Sequence, residues 1–158
     1  MKFTHFDEKG NARMVDVTHK ERTERIAVAS GKIKVSGEVF EAVRKGNAAK
    51  GDVLTVATTA GIAGAKRTWE LIPMCHILPL TGCAVKWELD ENNFEIKCRC
   101  TVRCTDKTGV EMEALTGVSV ALLTVYDMCK SMDRTMEIED IHLIEKDGGK
   151  SGHFIREE

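Results

Sequence analysis

The chain has 158 residues, with 23 Lys and Arg against 25 Asp and Glu and a formal net charge of −2. That length fits one domain able to bury a sizeable core, expected to span residues 1–158 with flexible ends at 1–14 and 147–158. Near-neutral charge and few aromatics argue against a nucleic-acid partner, which needs a basic excess and stacking rings. The longest apolar runs fall short of a membrane span, and the first residues lack the apolar stretch of a signal peptide. No membrane partner and a cytoplasmic location are therefore expected.

In chain order, residues 1–17 read as a loose hairpin around Asp7–Asn11. Residues 25–35 read as a strand, with Ile26, Val28, Ile33 and Val35 apolar. A short helix follows over 37–48. Asp52 is a plausible N-cap for a longer helix through Leu71. Its many Ala and Gly residues would let a second helix approach closely. Cys83 to Leu89 and Phe94 to Cys104 alternate apolar and polar around the turn 90–93, the pattern of a hairpin with one buried face. Thr108 and Glu111 form a capping-box pattern opening the next helix. The apolar stripe of that helix is Leu115, Val118, Leu122, Val125, Cys129 and Met132. A last strand covers 136–145, ahead of a glycine-rich basic loop and a short charged tail. Strand, helices, hairpin, helix, strand is the order of an α+β, ferredoxin-like fold: an antiparallel sheet with helices packed on one face.

The six cysteines contain no C-x-x-C pair, and the five histidines no H-x-x-x-H, so a dedicated metal site is not expected. Reduced core thiols are the preferred reading of Cys83, Cys98, Cys100 and Cys104. Gly149-Lys-Ser151 is not a P-loop: Ile144 stands where the pattern needs glycine, and no helix-length segment follows.

Several ionisable residues invite functional readings beside plain structural ones. Asp127 lies near the negative end of its helix, a poor place for a carboxylate on stability grounds. It is three residues from Lys130, so the two form either a surface ion pair or a proton-transfer couple. Lys50 precedes a helix N-terminus, which disfavours its charge; otherwise it is a solvated loop lysine. Pro73 and Pro79 stiffen the loop that carries Met74, Cys75 and His76. Glu111 is explained as a cap residue, whereas Glu113 is not. Glu113 and Asp127 share a side of the helix but lie about 21 Å apart along it. One small substrate cannot bridge them within one chain, so a site using both is shared between chains. Lys66 at a helix end, and Lys146 and Lys150 in the glycine-rich loop, suit phosphate contacts or simple solvated charge.

Taken together these segments resemble the cyclic pyranopterin monophosphate synthases, the MoaC family of molybdenum cofactor biosynthesis. The matching pieces are Met14-Val-Asp-Val17, Lys50-Gly-Asp-Val53, Ala60-Gly-Ile62, Ala65-Lys-Arg-Thr-Trp69, Leu71-Ile-Pro-Met-Cys-His76, Lys107-Thr-Gly-Val-Glu-Met-Glu-Ala-Leu-Thr116, Tyr126-Asp-Met-Cys-Lys130 and Gly148-Gly-Lys-Ser-Gly152. They occur in the family's order and cover nearly the whole chain. The chain departs at Ile77, where proline is usual, at Asp106, where a small residue is usual, and at His153, where an acidic residue is usual.

The resemblance implies a lyase acting on 3′,8-cyclo-7,8-dihydroguanosine triphosphate, the product of a radical-SAM GTP cyclase. Its products are cyclic pyranopterin monophosphate and pyrophosphate. It implies Asp127, Lys130 and Lys50 as catalytic residues. Met74, Cys75, His76, Met112 and Glu113 would bind the substrate's base region, Glu111 would also bind substrate, and Arg25, Lys66, Lys146 and Lys150 would hold its triphosphate. It further implies a homohexamer, a trimer of dimers with sites between subunits. No protein-bound cofactor is expected; magnesium travelling with the triphosphate is left open. The competing reading is a non-catalytic ferredoxin-like module that binds a nucleotide and regulates a partner.

Overall fold

The computed structural model describes residues 4–46 and 52–157. The elements are β1 (Thr23–Lys34), α1 (Gly37–Arg44), α2 (Val53–Lys66), α3 (Thr68–Leu71), β2 (Leu80–Asp90), β3 (Glu95–Asp106), α4 (Glu111–Cys129), β4 (Glu137–Asp147) and β5 (Phe154–Ile155). All five strands form one antiparallel sheet in the order β2-β3-β1-β4-β5. This is the expected ferredoxin-like α+β arrangement, with β5 added at one edge. The C-terminal tail supplies that short strand, Phe154 pairing with Lys146.

Alternation decides the two faces of the sheet. Ala27, Ala29 and Ile33 of β1 and Ile96, Cys98, Cys100, Val102 and Cys104 of β3 are buried. They pack under Val118, Leu122 and Val125 of α4, which are also fully buried. Each fully buried Leu, Ile or Val contributes about 1.5–3 kcal/mol, so this layer dominates stability. The opposite face is charged: Lys32 Nζ lies 2.8 Å from Glu95 and 3.2 Å from Asp140.

Small residues let α2 and α4 touch along their backbones. A Cβ at Gly61 would lie 2.9 Å from the Gly117 carbonyl oxygen and 3.0 Å from Ala121 Cβ, and one at Gly117 would approach Ala65 Cβ at 3.5 Å. Rising numbers on α2 meet falling numbers on α4, so the helices run antiparallel. Trp87 Nε1 donates to Thr58 Oγ1 at 2.9 Å and fastens α2 to β2.

Several boundaries differ from the sequence expectation. α1 ends at Arg44, and residues 47–48 of the helix expected over 37–48 lie outside the described residues. The helix capped by Asp52, whose carboxylate accepts from Thr55 N at 3.1 Å, stops at Lys66 instead of running to Leu71. Arg67 N turns back to Gly64 O, and the Thr68 hydroxyl donates to Ala65 O at 2.9 Å, a side-chain competitor for the helical bonds. α4 begins at Glu111, with Val110 at the N-cap and no side-chain cap bond, so the expected Thr108–Glu111 capping box does not form. Thr108 stays in the loop, and the Glu111 carboxylate folds back against Gly109. Met132 of the expected stripe lies past the helix end and is 38% exposed.

α4 is also, by length and composition, apolar enough to cross a membrane. Half of that window is buried inside the fold, as a core helix requires.

Candidate functional site

Antiparallel pairing gathers several chain segments at one end of the sheet. Thr23 at the start of β1 pairs with Asp106 at the end of β3, and Ile26 with Asp147 at the end of β4. The start of α4 and the glycine-rich loop therefore flank the start of β1. Between them lies a cleft of about 700 Å³ whose walls carry Lys20, Arg25, Lys107, Lys146 and Lys150. The cleft is strongly cationic, although Glu21 and Glu111 also line it. The buried Thr23 hydroxyl lines it too and has no hydrogen-bond partner among the described residues.

Arg25 ties this end together. Its Nε donates to Asp106 O and its Nη2 to Lys107 O, both at 3.2 Å. Gly148 and Gly149, at φ +97° and +78°, pass directly over it; Nη1 fills the space a Gly149 side chain would need. Lys146 Nζ donates to the Ser151 hydroxyl and, at 3.4 Å, to Gly148 O, which folds the glycine-rich loop toward the cleft. Lys107 Nζ donates to Thr18 O at 2.7 Å and anchors the N-terminal segment across the mouth.

A second hollow of about 380 Å³ continues from the first, sharing Lys20, Thr108, Gly109 and Glu111. Its far wall holds Met74, Cys75, His76, Met112 and Glu113, with Val15 and Val17 above. His76 Nε2 lies 2.8 Å from Val15 O. A carbonyl only accepts, so Nε2 carries the proton, and in the neutral ring Nδ1 offers a lone pair. Glu113 is only 4% exposed. Burial pushes its carboxyl up from 4.5 to about 7, a hydrogen bond to the backbone opposes this, and the Glu111 charge adds to it. The Cys75 thiol is raised by burial and then by Glu113. A carboxyl holding a proton near neutrality can serve as acid or base to a bound heterocycle.

The other end of α4 carries a different pair. Lys130 Nζ sits 2.6 Å from Asp127 Oδ1, with both side chains more than half exposed. Fourteen residues of helix, about 21 Å, separate Asp127 from Glu113. Lys66 projects from the last turn of α2 and lines neither hollow.

The MoaC family model matches residues 14–149 of this chain. The chain belongs to the MoaC family. It is 58% identical over 156 residues to the cyclic pyranopterin monophosphate synthase of Clostridium botulinum (strain Alaska E43 / Type E3), covering 99% of this chain and 98% of that one. It is 59% identical over 155 residues to the synthase of that name from Heliobacterium modesticaldum, covering 98% of each. To that of Desulfitobacterium hafniense it is 57% identical over 158 residues, covering 100% of this chain and 96% of the relative.

As a MoaC chain, then, it presents one continuous cleft and one remote pair. Of the residues singled out from sequence, Arg25, Glu111, Lys146 and Lys150 meet in the cationic half. Met74, Cys75, His76, Met112 and Glu113 meet in the other half. Asp127, Lys130 and Lys66 stand apart from both, and Lys50 lies outside the described residues. Arg25 is engaged with two carbonyls, so it positions the loops around the cleft. Sequence reasoning missed His19, Lys20 and Lys107 as cleft residues. Lys107 opens the long helix motif and could have been found there. His19 and Lys20 carry no local signal, because only the folding back of the N-terminal segment brings them in.

Proposed function

We propose that this chain converts 3′,8-cyclo-7,8-dihydroguanosine triphosphate to cyclic pyranopterin monophosphate and pyrophosphate, acting in the cytoplasm after a radical-SAM GTP cyclase. Membership of the MoaC family supports the reading, and the relatives carry the name of that synthase. The observation that carries it is the two-part cleft: cations in one half, and in the other a half-buried pocket closed by Glu113. A triphosphate suits the first half. A purine-derived base suits the second, where Glu113 and His76 can exchange protons with ring nitrogens.

Ring opening, pterin closure and cyclic phosphate formation need proton transfers and no net redox change. Asp127, Lys130 and Lys50 are the catalytic acid–base group, supplied to the cleft by a neighbouring chain of a homohexamer built as a trimer of dimers. The separation of Asp127 from Glu113 supports that division, since one ligand cannot span about 21 Å within a chain. Lys66, outside the cleft of its own chain, joins this second set. Cations around the departing pyrophosphate stabilise its charge. The reading assigns no cofactor to the protein; a magnesium ion would enter with the triphosphate.

Incubation of the purified protein with the cyclised GTP derivative, followed by mass analysis, tests the proposal. Cyclic pyranopterin monophosphate with equimolar pyrophosphate is expected. Tight binding with the ligand recovered unchanged would favour the regulatory-module reading instead.

A further inference from the structure

We propose that Cys83 and Cys100 form an oxidisable pair, in which a peroxide attacks Cys83 and Cys100 closes a reversible disulfide between β2 and β3. The site is independent of the synthase reading.

Register places the two residues diagonally. Cys83 pairs with Val102, and Val85 with Cys100, so both cysteines face the helices two positions apart. Their sulfurs are 3.9 Å apart. A disulfide needs about 2.05 Å, so the sulfurs must approach by about 1.8 Å; diagonal neighbours have Cα atoms about 7–8 Å apart, so the edge strand β2 must shift toward β3 as the χ1 angles rotate. Cys100 is fully buried, and α4 blocks retreat: a Cβ at Gly117 would come within 2.7 Å of its sulfur.

The two thiols have different roles. Cys83 is half-buried and therefore within reach of a small oxidant. Its thiol is held below the ordinary range, chiefly by the hydrogen bond with Cys100; burial opposes this, and the nearby Lys66 ammonium helps it. Cys100 is pushed up by the same hydrogen bond and by burial, so it stays protonated. The neighbouring Cys98 is pushed by burial up to about 12 and stays a thiol as well. Cys75, also half-buried, is raised and so serves as an internal control.

The steps balance. The Cys83 thiolate attacks a peroxide oxygen; the S–O bond forms, the O–O bond breaks, and hydroxide leaves. Sulfur is oxidised to the sulfenic acid and the peroxide is reduced. As the Cys100 proton passes to the sulfenic oxygen, the Cys100 sulfur attacks the Cys83 sulfur; the S–S bond forms, the S–O bond breaks, and water leaves. The chain becomes lighter by two hydrogens.

The test exposes the intact protein to hydrogen peroxide and follows mass and non-reducing peptide maps. A Cys83–Cys100 cross-link is expected, with a mass loss of about 2 Da that dithiothreitol reverses. Cys83 should be consumed at least about 10-fold faster than Cys75. Cys83→Ser should abolish the mass loss, and Cys100→Ser should leave a Cys83 sulfenic acid that dimedone traps. Wild-type Cys83 that remains alkylatable, that is oxidised after Cys75, or that passes to sulfinic acid without a cross-link overturns the proposal.

Discussion

Arg25 Nη1 occupies the space that a side chain at Gly149 would need. The same guanidinium holds the carbonyls of Asp106 and Lys107, so one side chain joins β1, the loop before α4 and the glycine-rich loop. Gly149→Ala would both overlap Arg25 and force a Cβ onto φ +78°. A loss of about 1–3 kcal/mol of stability is expected, with weaker substrate binding and a smaller change in kcat. Urea unfolding and a KM-against-kcat comparison check it. An unaltered KM would show that the loop does not shape the cationic half of the cleft.

Glu113 makes stability depend on pH with a defined sign. Its carboxyl titrates near 4.5 when unfolded and is raised to about 7 in the fold by burial. Between these values the unfolded chain has released the proton and the folded chain still holds it. Stability therefore falls as pH rises from about 4.5 to about 7. Glu113→Gln removes that penalty. The variant should gain on the order of 2–3 kcal/mol over wild type at pH 8 and almost nothing at pH 4. Chemical unfolding across that range would expose the error as a pH-independent difference.

Asp127→Ala and Lys130→Ala should abolish product formation, at least about 100-fold, while stability changes by less than about 1 kcal/mol. The pair is exposed, so its loss leaves no buried charge. Substantial turnover with either variant would remove this pair from the mechanism.

If the site is shared between chains, two dead variants should rescue each other. Glu113→Ala and Asp127→Ala proteins, unfolded and refolded together, should regain roughly a quarter of wild-type activity as mixed assemblies form intact interfaces. No recovery in verified mixed oligomers would place both residues in one chain's site.

The α2–α4 contact should not tolerate added volume at Gly64. A Cβ there would lie 2.7 Å from Val120 Cγ2 and 2.9 Å from Val120 Cβ. Gly64→Ala should cost about 1–3 kcal/mol by overpacking, despite the better helix propensity of alanine. A lowered urea midpoint with an unchanged slope is the expected signature.

Periodicity was sufficient for most of the fold. The alternation of Phe94 to Cys104 and the 3.6-residue stripe from Val118 to Cys129 each fix which side is buried, because apolar area leaves water only in that orientation. Helix ends were less legible. Thr108 and Glu111 have the spacing of a capping box, yet Glu111 turns to Gly109. A cap is one local bond of about 1 kcal/mol, easily outweighed by how the loop must meet β1.

The sequence by itself determined the strand and helix order, the small-residue contact between two helices, and the long motif running from Lys107 to Thr116. These depend on neighbours along the chain. Only the tertiary structure decided that Lys20, Lys107 and Lys146 line one cleft and that Arg25 holds two carbonyls. Those relations arise from strand pairing and the folding back of loops, which bring residues distant along the chain together whatever their local pattern.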